Sequence, residues 1–232
     1  KQRDLFQEEL GSGPEESTDE LMRQIPLLKA GRRAGRKQKR EYFFGREREM
    51  MLLLSNLKQF SRGERAQSVL LTGEAGVGKS AVMRRLMETI EDEQFLTISY
   101  QCVQTEEELY LKPWSDILTQ VEELCRSLHI SCTPAPNFYN RQIDASLFAT
   151  QYELFTESTL KSLTEQLTDR KLVLFLDDIQ WMDNASRRLL SNLMFWSGNR
   201  KLLVVLASRD DGTSQLMRLK APLVSKGLLL EV

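Results

Sequence analysis

Gly73-Glu74-Ala75-Gly76-Val77-Gly78-Lys79-Ser80 lies between two segments of different periodicity. Ahead of it, Ser68-Val69-Leu70-Leu71-Thr72 reads as a short buried strand. Behind it, Ala81 to Ile90 carries apolar residues at Val82, Met83, Leu86 and Ile90, the spacing of a helix. Strand, glycine loop, Gly-Lys-Ser and helix in that order form the context a phosphate-binding loop requires. Its glycines open backbone conformations closed to residues with a Cβ. Loop N–H groups can then turn inward around an anion, with the positive end of the helix dipole behind them. On this reading Lys79 reaches the β- and γ-phosphates of a nucleoside triphosphate and the Ser80 hydroxyl holds Mg²⁺. The residues expected to contact nucleotide are Gly73, Glu74, Ala75, Gly76, Val77, Gly78, Lys79, Ser80 and Ala81. A glycine-rich turn with an incidental lysine is the plainer alternative.

The whole chain sets bounds on this reading. Its 232 residues, 41% apolar and 28% charged, suffice for one α/β domain with a well-buried core and some extra. A net charge of −1 supplies no global field for nucleic acid or membrane, so any such contact is local. The longest wholly apolar run, Leu202 to Ala207, is too short to span a bilayer. Lys1-Gln2-Arg3-Asp4 opens no signal peptide, and the lack of an initiator Met suggests a segment of a longer protein. Cys102, Cys125 and Cys132 follow no zinc spacing, which favours reduced structural thiols and a cytoplasmic setting. His129 is the one histidine, which excludes a Ser-His-Asp triad or a multi-histidine metal centre within this chain. It is expected near a helix end.

Read in order, residues 1–28 form two short helices around a Ser12-Gly13-Pro14 turn, the tail of a preceding domain or a partner for the next. Residues 29–41 are a basic linker, with Lys29, Arg32, Arg33, Arg36, Lys37, Lys39 and Arg40 and no acid from Lys29 to Arg40. A solvated interdomain segment and a phosphate-backbone contact both fit it. Residues 42–232 form the core domain. A helix with Met50, Met51, Leu53, Leu54, Leu57 and Phe60 on one side ends at Arg62-Gly63. Leu96, Ile98, Tyr100 and Cys102 alternate with polar residues, as in a strand covered on one face at a sheet edge. Helices around Trp114–His129 and Ala145–Leu167 flank a Pro134-Ala135-Pro136 loop. Leu172 to Leu176 is continuously apolar, hence a strand buried on both faces, and it runs into Asp177-Asp178. A helix starts near Asp183-Asn184-Ala185-Ser186 and buries Leu189, Leu190, Leu193 and Met194. Leu202 to Ala207 is a further buried strand ending in Ser208-Arg209, and Leu228 begins a fifth.

An apolar strand ending in two acids is the expected second half of the nucleotide site. Asp177 would hold Mg²⁺ through ordered water beside Ser80. Asp178 is placed to polarise an attacking water, or else only caps the following turn. Arg209, at the end of the strand between the other two, can touch the γ-phosphate and report its presence, or is an ordinary surface arginine. Lys79, Asp178 and Arg209 are thus the candidate catalytic residues, and Ser80 and Asp177 the candidate metal ligands. Trp181 reads as core packing.

Three strings resemble, in order, signatures of the signal-transduction ATPases with numerous domains, a branch of the AAA-like P-loop group. They are Phe44-Gly45-Arg46-Glu47-x-Glu49, the glycine loop, and Leu176-Asp177-Asp178-Ile179-Gln180-Trp181-Met182-Asp183, the last being the most specific. The resemblance covers about residues 42–232. It implies a P-loop NTPase of the α/β class, a three-layer α/β/α sandwich with a five-stranded parallel sheet in the order 5-1-4-3-2. That order agrees with an edge second strand and buried third and fourth strands. It further implies ATP and Mg²⁺ as cofactors, an adenine pocket lined by Phe44, Gly45 and Arg46, and Arg209 as the γ-phosphate sensor. Glu8-Glu9-Leu10-Gly11-x-x-Pro14 resembles the last helices of the bacterial transcriptional activator domain, which in that family follows a winged-helix DNA-binding domain. The family's helical lid and later winged-helix parts have no counterpart here. No arginine finger is identified, Arg187 and Arg188 being unsupported candidates.

The expectation is an ATP-binding, slowly hydrolysing switch module of a bacterial transcriptional regulator. DNA would be contacted through domains outside this chain, with nucleotide-dependent self-association open and no membrane involved. An AAA-type motor or DNA-loading ATPase would need an intersubunit arginine finger and a ring. A small-molecule kinase would use the long stretch at 104–170 to bind its acceptor, and a nucleotide-free scaffold would ignore Lys79. No Asn-Lys-x-Asp string marks a GTPase.

Overall fold

The computed structural model describes residues 46–64, 66–90, 94–132, 145–197, 201–209 and 214–232. The expected N-terminal helices, the basic linker, Phe44, Gly45 and the Pro134–Pro136 loop lie outside the described residues. Contacts divide the chain into Lys1–Tyr42 and Phe43–Val232, and the strands and helices given below all belong to the second unit.

Five strands, β1 (Ser68–Leu71), β2 (Phe95–Gln101), β3 (Lys171–Asp177), β4 (Leu202–Ala207) and β5 (Leu229–Glu231), form one parallel sheet ordered β2-β3-β4-β1-β5. This is the expected 5-1-4-3-2 order read from the other edge. Six helices are described: α1 (Glu47–Ser61), α2 (Lys79–Thr89), α3 (Lys112–Leu128), α4 (Ala145–Gln166), α5 (Asn184–Ser197) and α6 (Ser214–Ser225).

The sheet's side chains divide by parity, as a period of two demands. Val69, Leu71, Val173, Phe175, Leu203 and Val205 face α1 and α2, where Leu53, Leu57, Phe60, Val82, Met83 and Leu86 meet them. Leu70, Leu172, Leu174, Leu176, Val204 and Leu206 face the other way, onto Trp114, Ile117, Val121, Leu160, Leu163 and Leu189. The inner strands β3 and β4 are apolar on both faces because both faces are covered, whereas β2 at the edge alternates. Trp114 is fully buried and its indole N–H donates to the Ser186 carbonyl at 3.1 Å, which satisfies its one polar atom.

Helix ends follow local chemistry. The Asp183 carboxylate accepts from the N–H groups of Ala185 (3.0 Å) and Ser186 (3.1 Å), so it is the cap among the three polar candidates at the start of α5. His129 closes α3 in a left-handed conformation (φ 54°), and Ile130 N–H then reaches back to the Cys125 carbonyl at 2.9 Å. Sequence reading did not place α6. Pro222 sits inside it and would ordinarily argue for a break, but Leu216, Leu219 and Leu223 bury a continuous stripe against the core. No helix among the described residues is long and apolar enough to cross a membrane.

Candidate functional site

The site forms at the C-terminal ends of β1, β3 and β4, where the order of strands places β4 between the glycine loop and the paired acids. β1 leads through Thr72 into the loop, and α2 begins at Lys79 directly after Gly78. Gly78 has φ 95° and an added Cβ there would meet nothing within 4 Å, so it is the backbone conformation and not the space that calls for glycine. Gly73 differs: its φ is 148° and an added Cβ would come within 3.1 Å of Val77 Cγ2. Val82 N–H bonds back to Gly78 O at 3.0 Å, so the N–H groups of Lys79, Ser80 and Ala81 precede the helical ladder and have no helical partners. Such a helix start favours an anion.

Lys79 folds over this loop, its ammonium donating to the carbonyls of Gly73 and Glu74, both at 2.8 Å. Burial holds its pKa below the ordinary lysine value, Arg209 and Arg46 push the same way, and Asp178 and Asp177 oppose them. One ammonium therefore feels all four of the other charged candidates. Arg46 is tied to the loop directly, with one guanidinium nitrogen donating to the Val77 carbonyl at 2.9 Å and another to Glu49 at 2.7 Å. Ser80 lies exposed in the first turn of α2, and Ala81 half-buried behind it. Glu74 and Ala75 are exposed at the loop's crest.

Across the sheet, β3 ends at Asp177, whose carboxylate accepts from the Asp178 N–H at 2.9 Å. Asp178 is left-handed (φ 53°) and starts the 3-10 turn Ile179–Trp181 through its carbonyl, which accepts from Trp181 N–H at 3.0 Å. Its side chain makes no capping bond to that turn. Both carboxylate oxygens are instead taken by carboxamides: Gln101 Nε2 donates to Oδ2 at 3.3 Å and Gln180 Nε2 to Oδ1 at 2.8 Å. Gln101 ends β2, in register with Asp177.

β4 delivers Ser208 and Arg209. Ser208 N–H donates to Leu71 O at 3.0 Å, which ties this end of β4 to the end of β1. The Arg209 N–H donates to Gln180 Oε1 at 3.0 Å, and its guanidinium carbon lies 5.7 Å from the centre of the Trp181 ring. Trp181 packs its half-buried ring against the core, as expected, and also carries this cation. Arg187 and Arg188 are both engaged within the chain. Arg187 donates to Gln180 O (2.8 Å) and Asn184 Oδ1 (3.2 Å), while Arg188 pairs with Glu153 of α4.

Lys79, Asp177, Asp178, Arg209 and Arg46 thus converge, whereas Phe44 and Gly45 lie outside the described residues. Gln101 and Gln180 had drawn no role from sequence reading. Gln180 stood within the quoted acidic string, and Gln101 had no signal beyond its place at the end of an alternating strand. Carboxylate and hydroxyl oxygens beside an ammonium, two guanidinium groups and a helix N-terminus make up the donor set a magnesium-bound triphosphate takes.

Residues 42–205 match the profile of the AAA ATPase domain family. Among solved structures, the Orc1 protein of Aeropyrum pernix in complex with DNA superposes with a TM-score of 0.50 at 18% identity, over 81% of this chain and 44% of that one. A point mutant of Thermotoga maritima RuvB gives 0.40 at 17% identity, over 81% and 45%. Drosophila ORC bound to DNA gives 0.40 at 21%, over 72% and 38%. The chain spans less than half the length of these structures.

Proposed function

Because this chain belongs to the AAA ATPase domain family, we propose that residues 42–232 are the Mg·ATP-binding, slowly hydrolysing switch of a cytoplasmic bacterial transcriptional regulator. The observation that carries the nucleotide reading is that the strand order brings the glycine loop with Lys79, the Asp177-Asp178 pair and Arg209 to the same ends of three adjacent strands. Gly73 to Ala81 and Lys79 would hold the phosphates, with Ser80 and Asp177 as the ligands of Mg²⁺. When bound, the metal supplies charge neutralisation at the phosphates. Asp178 would orient and polarise a water, Arg209 would answer to the γ-phosphate, and Arg46 would stand with Phe44 and Gly45 at the adenine.

The regulatory part of the proposal rests on sequence. Residues 1–28 resemble the end of an activator domain and 29–41 read as a basic linker, so DNA would be met through domains outside this chain. For a switch, the difference in nucleotide affinity between two states matters more than turnover. Both oxygens of Asp178 being held by carboxamides favours slow hydrolysis in the arrangement seen.

Thermal denaturation against Mg·ATP tests the reading. Ligand at a hundredfold excess over Kd adds about 2.7 kcal/mol of stability. Lys79→Ala should abolish the shift; a parent protein with no shift sinks the proposal. Nucleotide-dependent rings in solution would favour a motor or DNA-loading role instead.

A further inference from the structure

The turn between Asp178 and Met182 contains one side chain that bonds to both flanking strand ends. Gln180 donates through Nε2 to Asp178 Oδ1 at 2.8 Å, beyond the end of β3. Through Oε1 it accepts from the Arg209 N–H at 3.0 Å and the Ser208 hydroxyl at 3.4 Å, beyond the end of β4. Its own carbonyl is fixed by Arg187 of α5 at 2.8 Å. A carboxylate only accepts and a backbone N–H only donates, so the group between them must donate at one tip and accept at the other. Glutamine meets that condition at this reach. Glutamate would set two carboxylates against each other, and lysine would leave the Arg209 N–H without its acceptor. The next residue, Trp181, presents its ring to the Arg209 guanidinium. One short turn therefore holds Arg209 by backbone and side chain while holding Asp178 by its carboxylate.

We propose that Gln180 is a positioning residue that couples Asp178 to Arg209, so that the acid and the cation on the two sides of the γ-phosphate place are set as one unit. The inference rests on the nucleotide reading above for its functional meaning, but the coupling itself exists without nucleotide.

Two substitutions in the full chain separate the two ends of the carboxamide. Gln180→Met keeps the length without polar atoms, and Gln180→Glu keeps the acceptor toward Arg209 while making the Asp178 end repulsive. The first readout is Trp181 emission in nucleotide-free protein, assigned as the signal that Trp181→Phe removes. Gln180→Met should change it, because Arg209 is no longer held over the ring, and Gln180→Glu should leave it close to the parent's. With Mg·ATP, both variants should lose about tenfold or more in turnover, while the KM for ATP moves by less than about threefold. Unchanged Trp181 emission in Gln180→Met, or parental turnover in Gln180→Glu, overturns the proposal. Should Gln180→Met fail to fold, Gln180→Glu decides alone through its turnover. A parent that does not bind Mg·ATP removes the nucleotide reading, and the nucleotide-free emission of Gln180→Met then decides whether the coupling stands.

Discussion

The Arg46 guanidinium donates to the Val77 carbonyl at 2.9 Å, across 31 positions of sequence. The residue just ahead of α1 thereby steadies the glycine loop at Val77. Its side chain is 37% exposed, so its loss should cost the fold well under about 1 kcal/mol while loosening the loop. Arg46→Ala is expected to weaken Mg·ATP binding by about tenfold with little change in melting temperature. Equal affinity in parent and variant, by titration, would show the bond to be idle.

Gly78 makes a second, purely conformational prediction. With φ 95° and open space around an added Cβ, Gly78→Ala meets strain without collision. The expected loss is about 1–2 kcal/mol in nucleotide-free protein, read from chemical denaturation. A variant as stable as the parent would mean the loop relaxes freely.

Alkaline pH should reveal two half-buried ammonium groups. Burial is the main cause that lowers the pKa of Lys79, and likewise of Lys171, where the nearby Lys201 adds to it. Lys171 donates to the Phe60 and Ser61 carbonyls at the end of α1. A lowered pKa means the folded protein gives up the proton first. As pH rises through the folded value toward the ordinary 10.5, the unfolded chain holds more protons and these groups make stability rise. Lys79→Met and Lys171→Met should each remove part of that rise, so that the alkaline slope of the nucleotide-free protein becomes less positive or more negative than the parent's, measured by denaturant titration. An unaltered slope in both contradicts the assignment.

Asp183 caps α5 with one oxygen while the other is buried without a partner. Asp183→Ala should cost about 1 kcal/mol, and Asp183→Asn markedly less because the amide oxygen can still accept. Thermal melts of the pair decide; equal losses would assign the cost to charge and not to the cap.

Much of this architecture was legible because its signals are local. The contrast between the continuous apolar runs of β3 and β4 and the alternation of β2 reports which strands are covered on both faces. The glycine loop carries its conformation in its own residues. What escaped reading depends on tertiary contact. The Gln101–Asp178 bond joins positions 77 apart, and nothing near either residue announces the other. Helix α6 forms despite Pro222 because leucines bury a stripe whose value is set by the core it meets. The choice of Asp183 as cap, among three polar candidates, was settled by how the chain leaves the 3-10 turn.

Val205 of β4 stands in register with Val69 of β1 on one side and Phe175 of β3 on the other. Neighbouring strands lie about 4.8 Å apart, so β4 acts as a ruler that keeps the anion cradle and the acid pair two spacings, close to 10 Å, from one another. A slip of this ruler by a single residue would turn every β4 side chain to the opposite face and separate Ser208 from Leu71. The pocket therefore cannot assemble ahead of its sheet. Substitutions deep in β4, far from any phosphate, should silence it as thoroughly as damage to the loop itself.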